Sequence, residues 1–201
     1  MARMDRRQAL RTLASAPIAA AAIVWTEADV RAASAAAWQA RQTAARSQTR
    51  YQPKFFTAHE WATITLLVDL IIPKDDKSGS ATDAGVPEFM DFMMTDQPAR
   101  QNAMRGGLAW LDAECQRRTD KSFVASTDAE RRAVVDDISW PRRVKPGMSY
   151  GVTFFNSFRD LTASGFFTSK MGMDDLEYVG NTYVADWTGC PPEWLKKLGV
   201  S

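Results

Sequence analysis

Apolar side chains recur at intervals of three and four residues along most of this chain, which is the spacing of amphipathic helices. The clearest run follows Thr57–Glu60, a segment with the S/T-x-x-E form of a capping box. Its apolar positions are Trp61, Ile64, Val68 and Ile71. We predict a helix over this run that ends before Pro73, because a proline cannot continue a helix beyond its first turn.

Four more helices are predicted from the same signals. They extend from Pro87 through Met93, from Pro98 through Cys115, from a second capping box at Thr127–Glu130 to Trp140, and from Met148 to Ser164. Gly165 is expected to stop the last of these, since glycine is common just beyond helix ends. Residues 74–85, between the first two helices, are polar and predict a loop.

The helical pattern dissolves after Phe166. Residues 166–192 are rich in Gly, Asn, Asp and aromatic residues without a sustained period, and a short helix is expected from Glu193 to Leu198. Alternation typical of strands does not occur over any convincing length. The sequence therefore predicts an all-α fold, with a single small helical domain of about five main helices and a long irregular, aromatic-rich C-terminal tail.

Four aromatic residues lie in this tail where no helical period requires them: Tyr178, Tyr183, Trp187 and Trp194. Aromatic side chains that a fold leaves on loops are typical anchors of protein–protein interfaces. We therefore predict that these four residues contact a partner. The alternative is that they fold back and cover the core.

The N-terminus has the pattern of a twin-arginine export signal. Arg6 and Arg7 are followed by Leu10 and then by a weakly apolar run from Thr12 to Val24. That run is too short and too rich in Ala to span a bilayer stably, since a spanning helix needs ~20 strongly apolar residues. This route exports proteins that are already folded. We therefore expect a protein that leaves the cytoplasm folded and is periplasmic. A basic N-terminal helix with a chance arginine pair is the alternative.

Three parts of the chain are distinguished by composition. Ala33-Ser34-Ala35 has the small residues of a cleavage site, and Val30-Arg31-Ala32 is a second option. Residues 1–35 are assigned to the signal region. Residues 36–50 contain a single large apolar residue, Trp38, and predict a flexible leader, because they cannot bury enough surface to offset the entropy of ordering. A bound partner could order this leader as a helix. Residues 51–201 form the predicted helical domain.

Charge and cysteine content narrow the function further. The 25 Lys and Arg residues nearly balance the 24 Asp and Glu residues, which gives a formal net charge of +1. This balance argues against a nucleic-acid partner, which requires a basic face. The two cysteines, Cys115 and Cys190, predict a disulfide in an exported chain, with two buried free thiols as the alternative.

Residues suited to bond chemistry are few and scattered. The single histidine, His59, lies in a first helical turn, and with two distant cysteines it gives no zinc or haem-attachment spacing. Asp75, Asp76 and Glu88 do not follow the ligand order of an EF-hand calcium loop. No G-x-G-x-x-G follows a strand pattern. We therefore predict no catalytic residue, no bound cofactor and no metal in this chain.

Several short segments together resemble one family. In the first half of the chain they are Phe55–Glu60, Asp69–Pro73 and Ala84–Phe89, and in the second half Phe158–Thr162, Gly165–Ser169 and Tyr178–Thr182. In this order and spacing they are similar to gluconate 2-dehydrogenase subunit 3, a group that includes the small, or gamma, subunits of bacterial flavin-dependent sugar dehydrogenases. The resemblance extends over the whole mature chain and includes the twin-arginine leader.

The resemblance implies a non-catalytic, accessory role. In such complexes a large subunit of the glucose-methanol-choline oxidoreductase type holds FAD and oxidises a sugar or polyol. A cytochrome c subunit with haem c often takes the electrons, which would place the complex at the membrane. The small subunit carries the export signal, binds the folded flavoprotein, stabilises it and escorts it through the twin-arginine translocase. FAD and haem c would thus belong to partner subunits and not to this chain.

The residues alone leave two other functions open. One is a stand-alone periplasmic binding or structural module, in which the tail aromatics would pack inward. The other is an independent carboxylate-based enzyme that would use Asp75, Asp76, Glu88 and His59.

Overall fold

The helices begin where their caps predict. In Thr57–Glu60 and in Thr127–Glu130 the threonine side chain accepts a hydrogen bond from the glutamate amide, and the glutamate side chain accepts one from the threonine amide. Both predicted capping boxes are therefore confirmed. A third box, Ser80–Asp83, lies inside the predicted polar loop and opens a one-turn helix there.

The computed structural model describes residues 26–47, 51–177, 185–186 and 189–200. The α-helices in these residues are α1 (Glu27–Arg46), α2 (Ala58–Ile71), α3 (Ala81–Ala84), α4 (Val86–Asp96), α5 (Gln101–Thr119), α6 (Asp128–Ile138), α7 (Ser149–Phe167), α8 (Lys170–Asp175) and α9 (Pro192–Leu198). Short 3-10 turns occur at Pro98–Arg100 and Pro141–Arg143. The described residues contain no β-strand, and the all-α prediction is confirmed.

Helix α4 lies at the centre of the fold, where it contacts α1, α2, α3 and α7. Its buried apolar side chains are Val86, Phe89, Met90, Met93 and Met94. Three methionines suit this position because their unbranched side chains fill irregular gaps between several neighbours. Helix α7 contacts α4, α5 and α6, and its buried aromatic side chains are Phe154, Phe155, Phe158 and Phe166.

The start of α7 lies close against α5 because glycines open the space for aromatic rings. The ring of Phe154 on α7 lies over Gly107 on α5, where an added Cβ would be 1.8 Å from the Cδ2 atom of Phe154. In the same contact, the ring of Trp110 on α5 lies over Gly151 on α7. Each helix thus supplies one glycine and one ring.

We expect the substitution Gly107→Ala to destabilise the protein. Displacing the Phe154 ring costs about 1–3 kcal/mol, whereas the higher helix propensity of alanine contributes ~1 kcal/mol in the opposite direction. The 1.8 Å overlap is severe, so the upper part of that range, about 2–3 kcal/mol, applies. The expected net loss in the free energy of unfolding is therefore about 1–2 kcal/mol, measured by denaturant titration.

Gly106→Ala is the matched control, one residue away on the same helix. A Cβ at Gly106 would lie 2.5 Å from the hydroxyl oxygen of Tyr150. Tyr150 is exposed, so its tip is free to turn toward solvent. Unchanged or slightly higher stability is expected for this variant. Equal losses at both glycines would contradict this account of the α5–α7 contact.

The expectation that residues 36–50 form a flexible leader is wrong for the part that the structure describes as helical. Helix α1 extends over Glu27–Arg46 and packs against α4, with Ala33 fully buried and Val30 and Ala37 nearly so. Small side chains at these positions let the two helices approach closely. A search for large apolar residues does not detect such a face, which is why the composition of this segment predicts disorder. The folded domain therefore begins before residue 51.

Polar contacts fasten α1 at two further points. The hydroxyls of Ser34 and Thr168 are 2.6 Å apart, and Nη1 of Arg41 donates a 2.6 Å hydrogen bond to the backbone oxygen of Asp83. The predicted cleavage site, Ala33-Ser34-Ala35, therefore lies within a docked helix. The export-signal residues Arg6, Arg7 and Leu10 lie outside the described residues.

Two expectations for the C-terminal half are corrected. Helix α7 does not stop at Gly165 but continues to Phe167, because Gly165 is buried against the ring of Phe89 and serves packing. The predicted disulfide is not formed in the structure: Cys115 is a free thiol buried on α5, and Cys190 is a free, exposed thiol before α9. Burial raises the pKa of the Cys115 thiol. None of the described helices combines the length and apolar character needed to cross a membrane.

Candidate partner interface

His59, the single histidine, is used in a contact between helices. Its Nε2 atom lies 2.5 Å from Oδ2 of Asp112 on α5, and the other carboxylate oxygen of Asp112 accepts a hydrogen bond from the Phe123 amide. The pair thus links the start of α2 to α5 and to the segment that follows α5. The position of His59 is thus explained by its contact with Asp112, which joins α2 to α5.

The acidic residues considered for chemistry do not converge. Asp75 accepts hydrogen bonds from the amides of Ser78 and Lys77, which lower the pKa of its carboxyl and shape the turn. Asp76 is exposed in the same turn. Glu88 is half-buried on α4, where burial raises the pKa of its carboxyl. In the part of the chain that the structure describes, no group of three or more His, Cys, Asp or Glu side chains is placed to hold a metal ion.

The segment Gly147–Gly151 reads G-x-S-x-G, the pattern of a nucleophile elbow, which requires a strand directly before the serine. Here the segment follows the 3-10 turn Pro141–Arg143, and Ser149 opens α7. Since the described residues hold no strand, the structural context of that motif is missing. Gly151 is instead the packing glycine under Trp110.

The most distinctive surface feature is an open groove between α1 and α8, with a volume of about 1420 Å³. Trp38 of α1 lines it on one side and Met171 and Met173 of α8 on the other. Trp38 is 58% exposed although it is among the largest apolar side chains of the protein. We call this feature the α1–α8 groove.

Further exposed apolar side chains are next in the sequence to residues that line the α1–α8 groove, Thr168 and Asp175. Phe167 ends α7, and Leu176 follows α8 with 57% of its surface exposed. Lys77 joins the loop after α2 to this region, since its ammonium group hydrogen-bonds to the backbone oxygen of Asp175 and lies 3.8 Å from a carboxylate oxygen of Glu177. Several large apolar side chains exposed in one region are typical of a protein–protein contact.

The predicted tail interface follows this region in the sequence. Tyr178 directly follows Glu177, and Tyr178, Tyr183 and Trp187 lie outside the described residues. Trp194 is on α9, where it is 44% exposed and carries the ammonium group of Lys197 over its ring at 4.6 Å. No residue of α9 is buried. Helix α9 therefore presents its apolar side chains without a cover from the described residues.

Sequence reasoning misses the part of the surface that α1 contributes. Trp38 and Met173 belong to the α1–α8 groove, yet neither is among the predicted interface residues. The available signal is that Trp38 is the single large apolar residue in an otherwise polar and small-residue segment. Its role becomes visible only when α1 is docked on α4.

Comparison with protein families gives one finding. A family model described as gluconate 2-dehydrogenase subunit 3 matches residues 58–186. The matched range begins with α2, includes the core helices and α8, and excludes α1 and α9. No curated protein and no solved structure matches the chain.

Proposed function

The chain belongs to the gluconate 2-dehydrogenase subunit 3 family, that of a subunit of a dehydrogenase complex, and from this membership we propose that it is the non-catalytic accessory subunit of a periplasmic FAD-dependent sugar or polyol dehydrogenase. The catalytic partner is a large subunit of the glucose-methanol-choline type. That subunit holds FAD and removes hydride from the substrate. A further cytochrome c subunit with haem c takes the electrons and attaches the complex to the membrane.

The observation that carries this proposal is the uncovered apolar surface of the α1–α8 groove and α9. Trp38, Met173 and Trp194 are all more than one-third exposed. Removing such side chains from water against a partner stabilises the complex. Tyr178, Tyr183 and Trp187 extend the same surface in our proposal. An accessory subunit needs such a surface and no reactive centre of its own.

We further propose that this chain supplies the export address for the complex. Arg6, Arg7 and Leu10 are recognised by the twin-arginine translocase, and the large subunit, already folded around FAD, is carried along in the bound state. The fold supports this role in one respect. Helix α1, which follows the arginine pair in the sequence, docks on the domain through a buried face and also lines the α1–α8 groove.

Changing Arg6 and Arg7 together to lysine is expected to retain both this chain and its large subunit in the cytoplasm. The chain is expressed with the large subunit from the same genome, and each cell fraction is affinity-purified. Flavin absorbance that co-purifies with this chain is then measured in the periplasmic fraction. We expect the wild type to yield flavin there and the variant to yield less than about one-tenth as much.

Arg11→Lys, in the same leader but outside the arginine pair, is the control and should export normally. A flavoprotein that reaches the periplasm in normal amount beside the Arg6, Arg7 variant would contradict the escort. A wild-type chain that purifies without any flavoprotein would contradict the accessory-subunit proposal itself.

A further inference from the structure

A second exposed surface lies at the opposite end of α7 and combines an indole ring with unpaired arginines. All residues from Trp140 to Gly147 are exposed, and Trp140 is 61% exposed. Arg142 and Arg143 lie in the 3-10 turn that follows Trp140. Within the described residues, neither guanidinium group has an ion-pair or hydrogen-bond partner. We call residues 140–147 the Trp-Arg loop.

The Trp-Arg loop is held in a defined shape. The amide of Arg143 donates to the backbone oxygen of Trp140 at 2.8 Å, and that of Met148 donates to the backbone oxygen of Lys145 at 3.0 Å. The ammonium group of Lys145 is paired with Asp137 on α6. This pair and the hydrogen bond from Arg118 hold the pKa of the Asp137 carboxyl below its usual range. Little ordering entropy therefore remains to be lost when a partner binds.

A shallow cleft continues the surface beside Trp140. Its apolar side chains are Leu70, Ile71, Val135 and Phe155. Arg132 and Arg159 line the cleft as well. Arg132 is paired with Asp128 and Arg159 with Asp160, in each case on the same helix. Asp136 is the acidic residue among those that line the cleft. The charge that is not compensated locally is thus that of Arg142 and Arg143.

We propose that the Trp-Arg loop is a second docking site for the partner protein of the complex, which offers carboxylate side chains to Arg142 and Arg143 and an apolar cavity to Trp140. Tryptophan and arginine are the residues most enriched among energetically dominant interface contacts. The guanidinium group matches a carboxylate with two parallel hydrogen bonds. This inference rests on the proposed function, because it assigns a second contact to the same partner.

The dimensions of the molecule allow one partner to reach both sites. Helix α7 has 19 residues, and at 1.5 Å per residue it separates the Trp-Arg loop from the α1–α8 groove by about 28 Å. An interface of standard size buries roughly 800 Å² on each partner, which corresponds to a patch about 32 Å wide. An anionic membrane is a less suitable occupant, because its recognition uses clusters of about four to eight basic residues.

The test compares charge reversal at two places. The full chain is co-expressed with its large subunit, and the dissociation constant of the complex is measured over a range of salt concentrations. We expect Arg142→Glu with Arg143→Glu to weaken binding at least tenfold at low salt and to flatten the salt dependence. Trp140→Ala should weaken binding about tenfold at every salt concentration. Lys54→Glu with Lys74→Glu changes the net charge equally on other exposed positions and should leave binding within about twofold.

If the wild type forms the complex and the Trp-Arg loop variant binds as tightly as this control, the inference is overturned. The proposed accessory-subunit function would then still stand. Loss of binding to phosphatidylglycerol vesicles without any effect on the complex would also overturn it, in favour of a membrane contact. A wild-type chain that forms no complex would instead contradict the proposed function.

Discussion

Replacing Asp91 with alanine is expected to lower the free energy of unfolding by about 3–5 kcal/mol, the range for removing one partner from a buried charged network. The Asp91 carboxylate is fully buried on α4. It accepts hydrogen bonds from the Tyr51 hydroxyl at 2.8 Å and from the amides of Lys54, Phe55 and Phe56 at 2.8, 2.9 and 3.2 Å. Alanine leaves all four donors without their acceptor, and each unsatisfied buried donor costs ~1–3 kcal/mol.

This carboxylate fastens the segment before α2 to the central helix. Burial and the hydrogen bond to Asp91 raise the pKa of the Tyr51 hydroxyl, because both favour its protonated, donating form. In the Asp91→Ala variant, hydrogen exchange should accelerate most at the amides of Lys54, Phe55 and Phe56, while denaturant titration gives the loss in stability.

Asp96→Ala is the control, because Asp96 is exposed on the same helix. Its stability should stay within about 0.5 kcal/mol of the wild type. Asp91→Asn preserves the side-chain volume but replaces one acceptor with a donor, so its loss should be intermediate. A loss below about 1 kcal/mol in Asp91→Ala would show that the four hydrogen bonds contribute little to stability.

Ala33→Glu is expected to have an effect of similar size, about 3 kcal/mol or more, or to detach α1 from the domain. Ala33 has no exposed surface where α1 meets α4. A glutamate there must either bury an unpaired carboxylate or push the helix away. Denaturant titration measures the first result. Faster tryptic cleavage at Arg41, whose guanidinium otherwise holds the backbone of Asp83, reports the second.

The same substitution at Ala35 is the control, since Ala35 lies on the exposed side of the same helix. Ala35→Glu should leave stability within about 0.5 kcal/mol and leave the resistance to trypsin unchanged. Indistinguishable behaviour of the two variants would mean that the alanine face of α1 contributes nothing to the fold.

Local signals explain which helices could be predicted. A capping box such as Thr57–Glu60 is complete within four residues, and the apolar period that follows it is a property of one helix. Helix α1 could not be predicted in this way because its buried face consists of Val30, Ala33 and Ala37. Alanine is a strong helix former that also occupies exposed helix faces, so it does not mark a buried one. Whether such a face is buried depends on α4, more than 40 residues away in the sequence.

The buried carboxylate of Asp91 and the α1–α8 groove could not be predicted from the sequence, for a related reason. Asp91 stands inside the apolar run from Phe89 to Met94, but its four donors come from a segment 35 to 40 residues earlier. The α1–α8 groove requires α1 to be docked before Trp38 can face α8. The exposure of Trp194 agrees with the predicted tail surface, and partner contact at Trp194 stays a prediction.

The attachment of α1 also sets an order of events during synthesis. This helix leaves the ribosome before any other described element, yet Ser34 finds its hydrogen-bond partner, Thr168, only 134 residues later. At ~5–20 residues per second that interval lasts about 7–27 s. The alanine face of α1 can dock on α4 once α4 has been made, but the Ser34–Thr168 hydrogen bond must wait for the end of α7. The first described helix to be made is thus fully fastened only after α7 has been made.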